Sequence, residues 1–192
     1  MANKVKFGLE KVHVAFRGAT DGTTGWETPQ KIDGAVNFSA SAEGDETEFY
    51  ADNIKYFRHQ SNNGYTGDLE LAKIPDEIAA DMLGMTIDNN GMLVENVNDD
   101  PKEFALLAQM QGDERNRRFV YYRCEAGRPD DEAATTESSI DPQTDTIPLT
   151  MMPLQDEAEG TVRAVIEKTD SNATTYDDFF DSVTLPNTSQ EG

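Results

Sequence analysis

The chain has 192 residues, 37 of them acidic and 16 basic, for a formal net charge of −21. Such a surface repels a phosphate backbone and an anionic bilayer alike, so gripping nucleic acid by counterion release or lying on a membrane is disfavoured. No apolar run approaches the roughly 20 residues of a membrane span, and the start Met-Ala-Asn-Lys-Val-Lys-Phe has no apolar stretch behind its charges, so no signal peptide is expected.

The length suits one ordinary domain or two very small ones, and no linker divides it, so residues 1–192 are read as a single domain. The one cysteine, Cys124, excludes an internal disulfide and fits a reducing cytosol. So acidic a composition is compatible with disorder, but regular alternation of apolar residues argues against it for most of the chain.

In chain order, Lys11 to Phe16 alternates and is ended by a turn-rich Gly/Thr segment. Ala35 to Ala42 follows the turn signal Asp33-Gly34 as a second strand. Gly44 to Asn63 reads as a long, partly extended loop. Gly64 to Leu71 alternates strictly, with Thr66, Asp68 and Glu70 on one face and Leu69 and Leu71 on the other. A short helix then starts at Pro75, carries Asp76 and Glu77 in its first turn, and stops at Gly84.

Thr86 to Val97 predicts a small hairpin about Asn90-Gly91. Glu103 to Met110 has a length compatible with helix or strand. Its alternation of Phe104, Leu106, Ala108 and Met110, with a second run from Arg118 to Cys124 after Gly112-Asp113, favours a hairpin. Gly127 to Thr146 is acidic and aperiodic, a long loop. Ile147 to Leu154 and Thr161 to Lys168 form a strand pair about Glu159-Gly160, and Thr175 to Val183 closes the chain as a short helix. The expected class is mainly β, a β-sandwich with one flanking α-helix and long loops.

The catalytic inventory is thin. His13 lies on the strand face opposite Val12 and Val14, and His59 has no nucleophile pattern beside it; both read as structural or surface groups. Cys124 reads as a small buried side chain, with no cation cluster to stabilise a thiolate. Asn98-Asp-Asp100, Asp130-Asp-Glu132 and Asp177-Asp178 lack the spaced ligands of a calcium loop. No phosphate-binding glycine loop or zinc spacing occurs. No enzyme, cofactor or metal is therefore expected. Glu114-Arg-Asn-Arg-Arg118 is the one basic cluster, and Arg115, Arg117 and Arg118 are read as a salt-bridging surface between copies of the chain.

Several ordered blocks resemble the major tail proteins, the tail tube subunits, of long flexible-tailed bacteriophages of Gram-positive hosts. They are Lys4 to Ala15, Glu46 to Asn53, Gly64 to Leu71, Ile74 to Ile78 with Leu83-Gly84, Pro142 to Thr150, Val162-Arg-Ala, and Thr175 to Phe180. In the last block the family has Trp where Phe179 stands. The resemblance implies a virion protein, assembled in the host cytoplasm, whose copies form hexameric rings that stack along a tape-measure protein between tail initiator and terminator proteins. One sheet of each copy would join a continuous barrel around the lumen, and no added immunoglobulin-like domain is expected.

On that reading Asp68 and Glu70 face the channel, where like charge keeps passing DNA from being bound. Gly44 to Asn63, which carries Phe49, Tyr50, Ile54, Tyr56 and Phe57, is expected to make assembly contacts, as is Arg128 to Thr146. The alternative is a β-sandwich binding module such as a capsid-decoration or carbohydrate-binding protein. That function needs an exposed aromatic cluster, which Trp26 alone does not provide. A hydrolase ranks third.

Overall fold

A computed structural model of the chain describes residues 8–20, 23–51, 54–111, 116–130, 143–155 and 158–187. Its strands are β1 (Leu9–Thr20), β2 (Thr23–Trp26), β3 (Gln30–Ile32), β4 (Ala35–Glu43), β5 (Glu46–Ala51), β6 (Ile54–Gln60) and β7 (Gly64–Leu71). After helix α1 (Asp76–Leu83) come β8 (Thr86–Ile87), β9 (Leu93–Val94), β10 (Phe104–Met110), β11 (Arg118–Ala126), β12 (Asp145–Met152) and β13 (Arg163–Ile166). Helix α2 (Ala173–Asp177) and a 3-10 turn (Asp178–Phe180) close the ordered elements.

The main sheet runs β2-β1-β10-β11-β12-β7-β4, with β3 added to β1 and β13 to β11. Its pairings are antiparallel throughout. The sheet folds over itself. Phe38 of β4 stacks on Phe119 of β11 and tilts against Tyr121, each with ring centroids 5.6 Å apart. Strands distant in sheet order therefore face each other, which is the sandwich expected from the alternating sequence.

Between the layers lie Val12, Val14 and Phe16 of β1, Leu69 and Leu71 of β7, Leu106 of β10, and Ile147 and Met151 of β12. Helix α1 adds Ile78, Met82 and Leu83 to this core. The chain enters α1 through Pro75 in extended conformation, and leaves at Gly84 with φ 71°. Any Cβ at Gly84 would also fall 2.3 Å from the carbonyl oxygen of Asp100. Glycine is required there for both backbone and space.

A second core lies on the opposite face of β1, β10 and β11. Ala15, Ala105, Leu107, Val120 and Tyr122 are covered by Leu154 and Phe179, with Trp26, Phe180 and Val183 at the margin. Strand β10 is thus buried on both faces, not on alternate residues as its periodicity implied. Its unbroken apolar run Phe-Ala-Leu-Leu-Ala is the composition that double burial requires.

Two further expectations are corrected. The strands about Glu159-Gly160 exist but do not pair with each other. β12 adds to β11 at Arg123–Ala126, and β13 adds to the same strand at Arg118–Tyr121. Gly44 to Asn63 is not a loop: β5 and β6 pair as a hairpin. That segment is spliced onto β4 and β7 by bonds from Ser61 N–H to Asp45 O and from Asn63 N–H to Glu43 O, both 2.9 Å. The two-stranded pair β5–β6 thus continues the ladder of β4 and β7 beyond the main sheet.

Candidate channel and assembly surfaces

Strand β7 sets the geometry of the first surface. Leu69 and Leu71 are fully buried, each contributing on the order of 1.5–3 kcal/mol. The intervening residues must therefore project from the other side of the sheet. There Glu70 lies between Asn37 and Thr146, Asp68 between Ser39 and Pro148, and Thr66 between Ser41 and Thr150. The outer face of β4, β7 and β12 is a field of short hydroxyl, amide and carboxylate side chains. Gly67 lets β4 approach closely, since a Cβ there would lie 2.0 Å from Ser39 O.

Two carboxylates of this face are held by hydroxyls. Glu70 accepts from Thr144 Oγ1 at 2.7 Å, and Glu43 accepts from Thr66 Oγ1 at 2.8 Å. The backbone N–H of Asp68 donates to Ser39 Oγ at 3.2 Å. Among the described residues no lysine or arginine pairs with Asp68 or Glu70. At the β11 border, Arg123 is engaged by Glu103, Nε to Oε1 at 2.7 Å. Among the described residues the face is polar, acidic and without a cation of its own.

The β5–β6 arm is the second surface. Phe49 and Phe57 are register partners. Tyr56 is 75% exposed and Phe57 54% exposed, and Phe57 is ring-parallel to His59 with centroids 6.3 Å apart. For Phe49, Tyr50 and Ile54 the description covers the backbone alone. In Arg128 to Thr146, the expected second assembly loop, residues 131–142 lie outside the described residues, and β12 begins at Asp145.

Of the basic cluster, Arg117 and Arg118 differ in their surroundings. Arg115 lies outside the described residues. Arg117 pairs within the chain, its Nε 3.6 Å from Glu167 Oε2. Arg118 was expected at the surface and is instead buried, 8% exposed. Its guanidinium donates to Gln109 Oε1 at 3.0 Å and to the carbonyl oxygen of Tyr176. It lies 3.9 Å from the Tyr176 ring centroid and 4.8 Å from that of Phe180. The C-terminal helix docks over this side chain, a contact that local sequence does not encode.

The remaining candidates are structural. Cys124 is fully buried, and desolvation pushes its thiol far above the ordinary range, so no thiolate is available. His13 stacks on Phe180 at 4.6 Å, and burial is the main influence lowering its pKa. Trp26 donates its indole N–H to Tyr122 O at 3.3 Å and packs on the second core, so it offers no open sugar platform. No described helix is long and apolar enough to cross a membrane.

A family profile described as phage tail tube protein matches residues 2–190. No match was found among curated proteins.

Proposed function

The chain belongs to the phage tail tube proteins, structural components of the virion tail that self-assemble into a tube with other tail proteins; from that premise we propose how its surfaces divide the work. Six copies close into a ring, and rings stack around a tape-measure protein between initiator and terminator proteins. The face of β4, β7 and β12 lines the channel, and the arm β5–β6 reaches a neighbouring copy. The protein carries out no catalysis; DNA passes through without being specifically bound.

The observation that carries this reading is strand β7, with Leu69 and Leu71 sealed in the core and Asp68 and Glu70 on a cation-free outer face. A wall for moving DNA must avoid adhesive phosphate contacts at every sequence, and unpaired carboxylates among short hydroxyls meet that need. A closed ring also removes exposed sheet edges such as that of β4, which otherwise invite uncontrolled pairing. The aromatic load of the arm favours burial on assembly, since exposed Tyr and Phe gain most from being covered.

The test is the double substitution Asp68→Lys with Glu70→Lys in assembled tails. Folding and tube formation are expected to persist, while DNA release slows or stops. A reconstruction of the tube that places both side chains in a subunit contact or on the exterior would overturn the assignment. For the arm, hydrogen exchange of residues 54–60 is compared in protomer and tube. The arm's own ladder already gives some protection, so the expected result is a further gain on assembly; equal exchange in both states would remove it from the contact.

A further inference from the structure

We propose that Lys11, Arg118 and Lys168 form a socket for a carboxylate side chain of a second copy of this chain, an inference that rests on the tube reading above. The three line one open pocket of about 450 Å³, together with Gln109, Tyr176 and Asp177. They come from β1, β11 and the segment leading to α2, so only the tertiary fold assembles them.

The pocket concentrates positive charge that the described residues leave incompletely matched. Lys11 Nζ and Arg118 Nε both donate to the same neutral acceptor, Gln109 Oε1, at 3.3 and 3.0 Å. Two cations are thereby held within about 6 Å of each other on one amide oxygen, an unfavourable arrangement where water is partly excluded. Arg118 has no carboxylate partner among the described residues. Its bonds run to Gln109 and to the carbonyl oxygens of Tyr176 and Asp177, and its Nη2 makes none among the described residues. Two carboxylates are nearby: Glu10 accepts from Gln109 Nε2 at 2.6 Å, and Asp177 is engaged by Lys168 at 2.6 Å. Among the described residues three cations thus face two carboxylates, and neither carboxylate contacts Lys11 or the Arg118 guanidinium.

The backbone supplies an independent sign that Lys11 is placed for a purpose. The register of β1 against β10 shifts between Glu10 and His13, and Lys11 has φ 54°. A non-glycine residue in the left-handed region costs about 1–3 kcal/mol, and bulges characteristically re-aim a side chain. Here the re-aimed side chain reaches Gln109 and the pocket.

The occupant follows from charge. With 37 acidic and 16 basic residues, the surface that one copy offers another is acidic on average. Copies packed in a tube need places where an acidic group meets cations, and such contacts fix register and suppress wrong ones. A carboxylate at the mouth of the pocket would accept from the exposed Lys11 and lie in the field of the buried Arg118 behind it, strengthening as the neighbour excludes water.

The experiment uses the full chain, assembled from equal amounts of ordinary and nitrogen-15-labelled protein. Zero-length carbodiimide coupling joins lysine to a carboxylate in direct contact, and mass spectrometry reads the isotope pairing. Mixed-isotope links from Lys11 to an Asp or Glu, present in tubes and absent from protomer, are expected. In parallel, Lys11→Glu is expected to raise the concentration needed for assembly at least tenfold at low salt, whereas Lys73→Glu, outside the pocket, leaves it within twofold. Tubes whose Lys11 links are all within one copy, or in which Lys11→Glu assembles like Lys73→Glu, would overturn the socket alone. Failure of the unsubstituted chain to form tubes would overturn the tube reading and the socket with it.

Discussion

Strands β10 and β7 belong to the same sheet yet differ in how many faces they bury. From Phe104 to Gln109 every residue of β10 is buried, because the folded-over sheet covers one side and the C-terminal segment the other. In β7 burial falls on Leu69 and Leu71, while Asp68 is exposed and Glu70 half-buried. Double burial makes a strand a structural member with no side chain to spare. Single burial leaves a face whose chemistry can change without disturbing the fold, and that is where the channel surface is proposed.

The largest effects should separate the two strands. Leu106→Ala and Leu107→Ala point to opposite faces, and each is expected to lower unfolding free energy by about 2–5 kcal/mol. In β7, Leu69→Ala should cost the same, while the adjacent Asp68→Ala stays within about 0.5 kcal/mol. Denaturant unfolding of the protomer measures all four. A cost for Asp68→Ala approaching that of Leu69→Ala would erase the distinction.

A smaller effect sharpens the account of the second core. Tyr122 anchors the C-terminal segment through its hydroxyl, which donates to Thr184 O at 2.9 Å. Tyr122→Phe keeps the ring and is expected to cost about 0.5–1.5 kcal/mol, with faster amide exchange confined to the segment after Phe180. Burial raises the Tyr122 phenol to about 12, so in an alkaline absorbance titration its ionisation should trail that of ordinary tyrosines.

The smallest expected effect is pH-dependent. Half-buried His13 has its pKa lowered chiefly by burial, so the native state favours the neutral imidazole and the unfolded chain binds the proton first. Its contribution is complete above the unfolded value of about 6.5 and declines as pH falls through that value toward the lower native one. His13→Gln should flatten the stability profile between pH 7 and pH 5. An unchanged slope there would assign it to the many carboxylates instead.

What could be read in advance followed the local patterns. The alternation of β7 names its buried and exposed residues, and the proline, acidic first turn and glycine around α1 bracket that helix closely. The β10–β11 hairpin was legible from two apolar runs flanking Gly112-Asp113. The arm β5–β6 was not, because the run from Glu46 to Gln60 does not alternate apolar and polar residues. Its signal was subtler: β-branched and aromatic residues in a segment too apolar for a solvated loop. Double burial of β10 was signalled by its unbroken apolar run, although its alternate apolar positions also fit burial on one face.

By itself the sequence determined the class, the faces of the amphipathic strands and the limits of the main helix, since periodicity and end signals act over a few residues. It also fixed the excess of acidic groups that any mode of assembly must accommodate. Partner choice belonged to the tertiary structure alone. β12 and β13 share β11 rather than pairing together, Arg118 is buried beneath Tyr176, and Lys11 meets Gln109 across 98 positions of chain. Periodicity states which face of a strand seeks cover but not what covers it, because the free energy of that contact depends on elements far away in sequence.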